Sequence, residues 1–215
     1  MILVLDLDDT LYDENSFVIS GFRSVAKLIS PLSDYSIEQL VDWMTEDLMS
    51  NGRGQIFNNC LKRINHYSDE LLKACIDNYR YHKPEIVIFK EAIELLNRYA
   101  RMPKYLVTDG NPDVQNSKID ALKIRPHFEG IYPTWSFGKD WHKPSLLPFS
   151  EIARRENVAL SDICYIADDP YKDFVLLNAV GASTVRVLTG RFKNVRLSED
   201  YEATVQINDL SQFRC

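Results

Sequence analysis

No segment of this 215-residue chain approaches the ~18 consecutive apolar residues of a membrane span. The N-terminal apolar stretch is too short for a secretory leader and lacks a basic flank, which leads to the expectation of a cytoplasmic protein. There is no basic stripe. With a formal net charge of −6 and a pI near 5.3, the chain is a poor partner for a nucleic-acid polymer or an anionic membrane. Cys60, Cys75, Cys164 and Cys215 form no C-x-x-C pair and sit beside no histidine, so buried free thiols are expected rather than zinc ligands or a disulfide framework. His66, His82, His127 and His142 are equally dispersed, and only His142 falls near the residues singled out below. Internal repeats and low-complexity segments are also missing.

What is present begins at the N-terminus. Met1–Leu5 is an apolar run of the kind that forms a strand buried on both faces, and it empties into Asp6, Leu7, Asp8, Asp9 and Thr10. The carboxylates therefore follow the C-terminal end of a strand, where open parallel sheets place their ligands. Alternation points Asp6 and Asp8 the same way. Two carboxylates about 4 Å apart repel by roughly 4 kcal/mol at an effective dielectric near 20. A shared proton, a cation or both must offset that repulsion.

Three later segments have related character. Lys104–Thr108 is a short apolar run ending in Thr108-Asp109-Gly110. Lys143 stands in His142-Lys143-Pro144, followed by Pro148-Phe149. Ile163–Ala167 is a third apolar run, emptying into Asp168-Asp169-Pro170-Tyr171-Lys172-Asp173. In this order, and with the D-x-D-x-T pattern of residues 6–10, the segments resemble the four motifs of the haloacid dehalogenase (HAD) superfamily, most of whose members are magnesium-dependent phosphohydrolases. The resemblance spans the whole chain.

With 45% apolar residues, the chain can bury one good core with room for a small inserted domain. Nearly a hundred residues separate the first two motifs, far more than a βαβ crossover needs. From Asn15 to His82 apolar residues recur at helical spacing, with breaks at Ser30-Pro31 and Asn51-Gly52 and a capped start at Ser68, giving about four helices. They are similar to the helical cap inserted after the first motif in one HAD subgroup. Beyond Lys83-Pro84, helix is expected over 87–99, strand over 104–108, helix over 112–122 and strand over 128–132. Helix 145–156, a strand at 163, helix 171–179, strand 182–187 and a weaker strand over 203–207 follow, with 189–200 as a mobile surface loop. The expected fold is α/β, a doubly wound, Rossmann-like, mostly parallel sheet. Residues 1–12 and 84–215 would form the core and 13–83 the helical cap.

The resemblance implies a phosphatase acting on a small phosphorylated metabolite such as a sugar phosphate or nucleotide. Asp6 is then the nucleophile that forms an aspartyl-phosphate, and Asp8 the general acid and later base. Mg²⁺ suits oxygen donors better than zinc, there being no Cys/His set. The family pattern gives it Asp6, the backbone carbonyl of Asp8, and Asp168. Thr108 with the amides of Asp109 and Gly110 would bind the phosphoryl oxygens, and Lys143 supplies positive charge with Lys139 as its rival. Asp109 departs from the family's usual asparagine, which leaves its role open. Asp173 would anchor Lys143 or a metal-bound water. Asp169 would do the same or cap the following helix, and Thr10 would hydrogen-bond to hold the loop or cap a helix. Arg53, in the turn Asn51–Gly54, would meet an anionic leaving group from the cap or stand solvated. A phosphomutase, a 2-haloacid dehalogenase and a non-catalytic binding module are the alternatives.

Overall fold

The structure, a computed structural model, describes residues 1–214, so the expectation for Cys215 lies outside the described residues. Its strands are β1 (Ile2–Leu5), β2 (Lys104–Thr108), β3 (Gly130–Pro133), β4 (Ile163–Ala167), β5 (Ser183–Val187) and β6 (Val205–Ile207). All pair in parallel in the order β3-β2-β1-β4-β5-β6. β1, β2 and β4 are buried along their whole length, which accounts for their lack of polar alternation. On one face Val4, Tyr105, Val107 and Tyr165 pack with Phe149 and Phe174. Each such fully buried apolar side chain contributes about 1.5–3 kcal/mol.

Registers bring Leu5 opposite both Leu106 and Ile166, so β1, β2 and β4 end at one level. The first, second and fourth motifs leave the sheet together there. The order of the strands reverses at β1, between β2 and β4, the kind of switch point that opens a crevice for ligand.

The chain divides into two compact units, Met1–Glu14 with Ile86–Cys215, and Asn15–Glu85. Each crossing falls two residues beyond the boundary expected from sequence. The second unit is carried by helices α1 (Glu14–Ile29), α2 (Ile37–Asn51), α3 (Ile56–Arg63) and α4 (Asp69–Tyr81). Phe22, Val25, Leu40, Met44, Leu61 and Cys75 fill its interior. Ser36 and Gln39 close a reciprocal capping box at the start of α2. The Ser68 side chain accepts from Leu71 N at 3.1 Å to start α4. Gly21 is required by packing, since a Cβ there would lie 2.5 Å from the Tyr79 ring.

The α/β unit holds α5 (Lys90–Arg98), α6 (Pro112–Leu122), α7 (Leu147–Glu156) and α8 (Val175–Ala179). Two expected helices begin three or four residues late. α5 starts at Lys90 because Ile88 is taken up in a bridge with Tyr12, and Phe89 N donates to Leu11 O at 2.8 Å. α8 starts at Val175 because Asp169–Asp173 form turns organised by side-chain bonds. The 189–200 segment, expected as a loose loop, is tied to the body by Arg186, whose Nη2 donates to Phe192 O at 2.7 Å and Val195 O at 3.2 Å. Cys60 and Cys75 are buried free thiols, as expected, and Cys164 is buried in β4. No helix among the described residues is long and apolar enough to cross a membrane.

Candidate active site

Asp6 follows β1 directly, and its amide extends the ladder by donating to Ile166 O at 2.9 Å. Its carboxylate is buried beside those of Asp168 and Asp173, one oxygen from each lying within 4.8 Å of the others. Lys143 Nζ reaches into this group, 2.9 Å from Asp6 Oδ1 and 2.7 Å from Asp173 Oδ1. It also donates to Tyr165 Oη at 2.7 Å. Burial opposes its charge, yet Asp173 and Asp6 hold the ammonium well above its ordinary pKa.

One fully buried cation does not balance three carboxylates. Burial, with the charge of Asp173 added and that of Lys143 opposing, pushes Asp6 up to about 7. Burial followed by the charges of Asp6 and Asp173 pushes Asp168 up to about 10. A trio of this kind holds protons at neutral pH or exchanges them for a cation. All-oxygen donors fit a hard divalent ion such as Mg²⁺. The site therefore suits the cation implied by the sequence, with Asp173 joining Asp6 and Asp168 in the carboxylate group.

Asp8, two residues on, has different partners. Its Oδ1 accepts from Lys118 Nζ at 2.7 Å and from Tyr12 Oη at 2.5 Å. Its Oδ2 accepts from Gln115 Nε2 at 3.0 Å. Burial raises its pKa, but the Lys118 charge and these bonds outweigh burial and leave it below the ordinary carboxylate value. The two aspartates thus sit in unlike surroundings, Asp6 raised among carboxylates and Asp8 lowered beside a lysine.

At the end of β2, Thr108 is buried and its Oγ1 accepts from Gln115 Nε2 at 2.6 Å. Gly110 takes φ 140°, and a Cβ there would crowd the Gln115 side chain at 3.1 Å. Asn111 caps α6 by accepting from Asp113 N at 3.0 Å and Val114 N at 3.3 Å. Asp109 Oδ1 accepts from Lys143 N at 3.2 Å and from Thr134 Oγ1. The carboxylate whose role the sequence left open therefore ties the second motif to the loop that carries Lys143.

The haloacid dehalogenase-like hydrolase profile matches residues 3–187. The chain belongs to that family. Among its relatives, the glyceraldehyde 3-phosphate phosphatase of Methanocaldococcus jannaschii is 26% identical over 220 residues, covering 98% of this chain and 94% of that protein. The Pyrococcus furiosus enzyme of the same name is 22% identical over 221 residues, covering 99% and 90%. Among solved structures, the HAD-hydrolase YfnB of Bacillus subtilis, bound to magnesium, has a TM-score of 0.70 at 16% identity, with 97% and 94% coverage. A 2-haloacid dehalogenase from Pseudomonas syringae has a TM-score of 0.65 at 22% identity, with 99% and 96% coverage. The last two likenesses concern the fold alone; with its named relatives, this chain is a phosphatase-type HAD hydrolase.

Within this HAD fold some expectations need correction. Thr10 neither braces the loop through its hydroxyl nor caps a helix: Oγ1 is buried with no hydrogen-bond partner among the described residues. The brace is its neighbour Asp9, whose Oδ1 accepts from Glu14 N at 2.9 Å and Oδ2 from Arg191 N at 3.3 Å. Asp9 O also accepts from Thr189 Oγ1, and Gly190 packs so closely that any Cβ would overlap the Asp9 carboxyl. Asp169 caps a turn rather than a helix, its Oδ1 accepting from Tyr171 N at 3.0 Å, and Lys172 pairs with it at 3.6 Å. Lys139 is exposed, while Lys143 is buried in the site. His142 stacks on Trp135. Arg53 is exposed in the helical unit, where it lines a cavity of about 270 Å³ with Phe22, Leu48, Phe57 and Tyr79.

The residues missed from sequence are Tyr12, Gln115, Lys118, Tyr165 and Arg186. Gln115 and Lys118 carried a signal: with Ile119 and Leu122 they form the i, i+3, i+4, i+7 stripe that α6 buries. Tyr165 carried another, being a hydroxyl inside a strand buried on both faces. Arg186 is fully buried behind the fourth motif, donating to Asp168 O at 3.2 Å and pairing with Glu202 at 2.6 Å.

Proposed function

We propose that this chain is a Mg²⁺-dependent phosphohydrolase of small phosphomonoesters, with three-carbon sugar phosphates as the leading substrate class, working through an aspartyl-phosphate on Asp6. The observation that carries the reading is the unequal treatment of two aspartates two residues apart. Asp6 lies with Asp168, Asp173 and Lys143, whereas Asp8 is held by Lys118, Tyr12 and Gln115.

Asp6 attacks phosphorus as the ester P–O bond breaks, and Asp8 hands its proton to the departing alkoxide. Asp8 then takes a proton from the water that attacks the aspartyl-phosphate, releasing inorganic phosphate and restoring the Asp6 carboxylate. Thr108 and the loop through Gly110 hold the phosphoryl oxygens, and Lys143 aligns Asp6 and favours its ionised form against the burial that opposes it. Asp6, Asp168 and the Asp8 carbonyl would hold Mg²⁺, with Asp173 beside them. When bound, the ion offsets the charge between an anionic nucleophile and an anionic phosphoryl group.

The choice of substrate class follows the names of the archaeal relatives, which cover nearly the whole chain. An aspartate at position 8 supports ester cleavage over dehalogenation, because a departing halide needs no proton. The helical unit is read as the cap that selects the leaving group. Turnover of p-nitrophenyl phosphate and glyceraldehyde 3-phosphate with Mg²⁺, with EDTA, and by Asp6→Asn tests this directly. Full activity in EDTA, or in Asp6→Asn, overturns it.

A further inference from the structure

We propose that Lys118 and Gln115 are positioning residues for the acid–base half of the reaction, Lys118 fixing which Asp8 oxygen carries the proton and Gln115 locking Asp8 to Thr108. This rests on the phosphatase reading and adds residues that reading does not use. Each carboxylate oxygen accepts about two hydrogen bonds. Asp8 Oδ1 is filled by Lys118 Nζ at 2.7 Å and Tyr12 Oη at 2.5 Å. Among the described residues Oδ2 accepts only from Gln115, at 3.0 Å, and keeps a lone pair open. Oδ2 is therefore the oxygen that exchanges the proton. It gives that proton to the alkoxide as the ester P–O bond breaks and the bond from Asp6 to phosphorus forms, then takes one from the attacking water.

Gln115 constrains the other side of the site. A carboxylate cannot donate, so the group facing Asp8 Oδ2 is the Gln115 NH₂, whose second hydrogen goes to Thr108 Oγ1 at 2.6 Å. Thr108 accepts from that amide and so directs its own proton elsewhere, which suits a phosphoryl oxygen. One side chain thus sets the geometry of proton donor and phosphoryl contact together. Packing does not explain the pair. Both lie on the stripe of α6 that also buries Ile119 and Leu122, and an apolar residue would fill either place without the cost of burying a charge or an amide.

The test uses two esters. The nitrophenolate of p-nitrophenyl phosphate departs without a proton, whereas the alkoxide of glyceraldehyde 3-phosphate needs one. Because kcat/KM reports steps through phosphoenzyme formation, the ratio of alkyl to aryl values isolates proton delivery to the leaving group. Lys118→Met is expected to lower that ratio by roughly 10–100-fold, within the range that acid–base catalysis contributes. Tyr12→Phe should lower it by less. Gln115→Leu should lower both kcat/KM values, because it also frees Thr108. A wild-type ratio in both Lys118→Met and Tyr12→Phe overturns the proposal, as does an equal loss on both esters in each. If Lys118→Met does not fold, judged by circular dichroism, the loss of one hydroxyl in Tyr12→Phe decides. A wild-type protein with no metal-dependent turnover of either ester overturns the phosphatase reading itself, and this proposal with it.

Discussion

The two units bury different things. In the α/β unit the interior takes in Asp6, Asp9, Lys104, Lys118, Lys143, Asp168, Asp169, Asp173 and Arg186, whereas among the described residues 15–85 the buried polar side chains are Ser20 and His82. Apolar contacts alone can hold four short helices together. A site for anion chemistry cannot be built that way, because a charge taken out of water is tolerated only against other charges and fixed dipoles. The stability of the α/β unit is therefore tied to pH and to cations, and that of the helical unit to shape.

The comparison breaks most directly at Asp6 and Asp8. Asp6→Asn and Asp8→Asn are each expected to lower turnover by roughly a thousandfold or more, with the double variant little worse than either, since the two act in one sequence of steps. Thermal melting should show no loss of stability for Asp6→Asn, which removes charge from a crowded acidic site, and a loss for Asp8→Asn, which removes the carboxylate paired with the buried Lys118 ammonium. An Asp6→Asn enzyme that turns over near the wild-type rate in Mg²⁺ would falsify the covalent route.

Lys143→Met should cost about 3–5 kcal/mol of stability, the penalty for stranding buried carboxylates. Urea titration measures it, and saturating Mg²⁺ should recover part of the loss by replacing the missing positive charge. A variant as stable as the parent would mean that Asp6 and Asp173 do not depend on Lys143.

The next effect is on pH. Asp6 and Asp168 stand at about 7 and about 10 in the folded chain against 3.8 ordinarily, so between those values the folded chain holds protons that the unfolded chain has lost. Their contribution is complete below about pH 4 and declines as pH rises through neutrality toward the folded values. Asp8, lowered instead, acts in the opposite sense and loses its contribution only in acid. Metal-free protein is expected to melt lower at about pH 8 than at about pH 5, and Mg²⁺ should protect more at the higher pH, where fewer protons compete. Leu61→Ala, in the helical core, should cost about 2–5 kcal/mol by a cavity, nearly independent of pH. A pH trend in that cost as steep as the trend of the parent would erase the contrast between the units.

The smallest effect is at Arg53. If the helical unit selects the leaving group, Arg53→Ala should reduce kcat/KM for a sugar phosphate by roughly 10–100-fold, the worth of one charged hydrogen bond, and barely touch p-nitrophenyl phosphate. Equal losses on both esters would assign Arg53 a structural part instead.

The same contrast explains how much was legible in the sequence. β1, β2 and β4 were readable because strands buried on both faces leave unbroken apolar runs, and the helices of the second unit because an apolar stripe recurs with the turn. The carboxylates at the strand ends were legible from topology. Gln115 and Lys118 were not, since a periodicity count treats polar residues on a buried stripe as noise although here they line the site. The late starts of α5 and α8 were hidden for a related reason: Ile88 and Asp173 engage partners distant in sequence, Tyr12 and Lys143, and override local helix preference.

The contact between Asp9 and the Thr189–Arg191 turn has a bearing on how the molecule comes into being. The loop that carries Asp6 and Asp8 is shaped by a turn some 180 positions later, where Thr189 and Arg191 grip Asp9 and Gly190 leaves room for it. A pairing so distant in sequence forms late, after the intervening chain has paid its loop-closure entropy. A nascent chain that has emerged only as far as β5 holds Asp6, Asp8, Lys143 and Asp168 and lacks the turn that braces the first loop. The shape of the loop that carries Asp6 and Asp8 thus waits on the residues around Gly190.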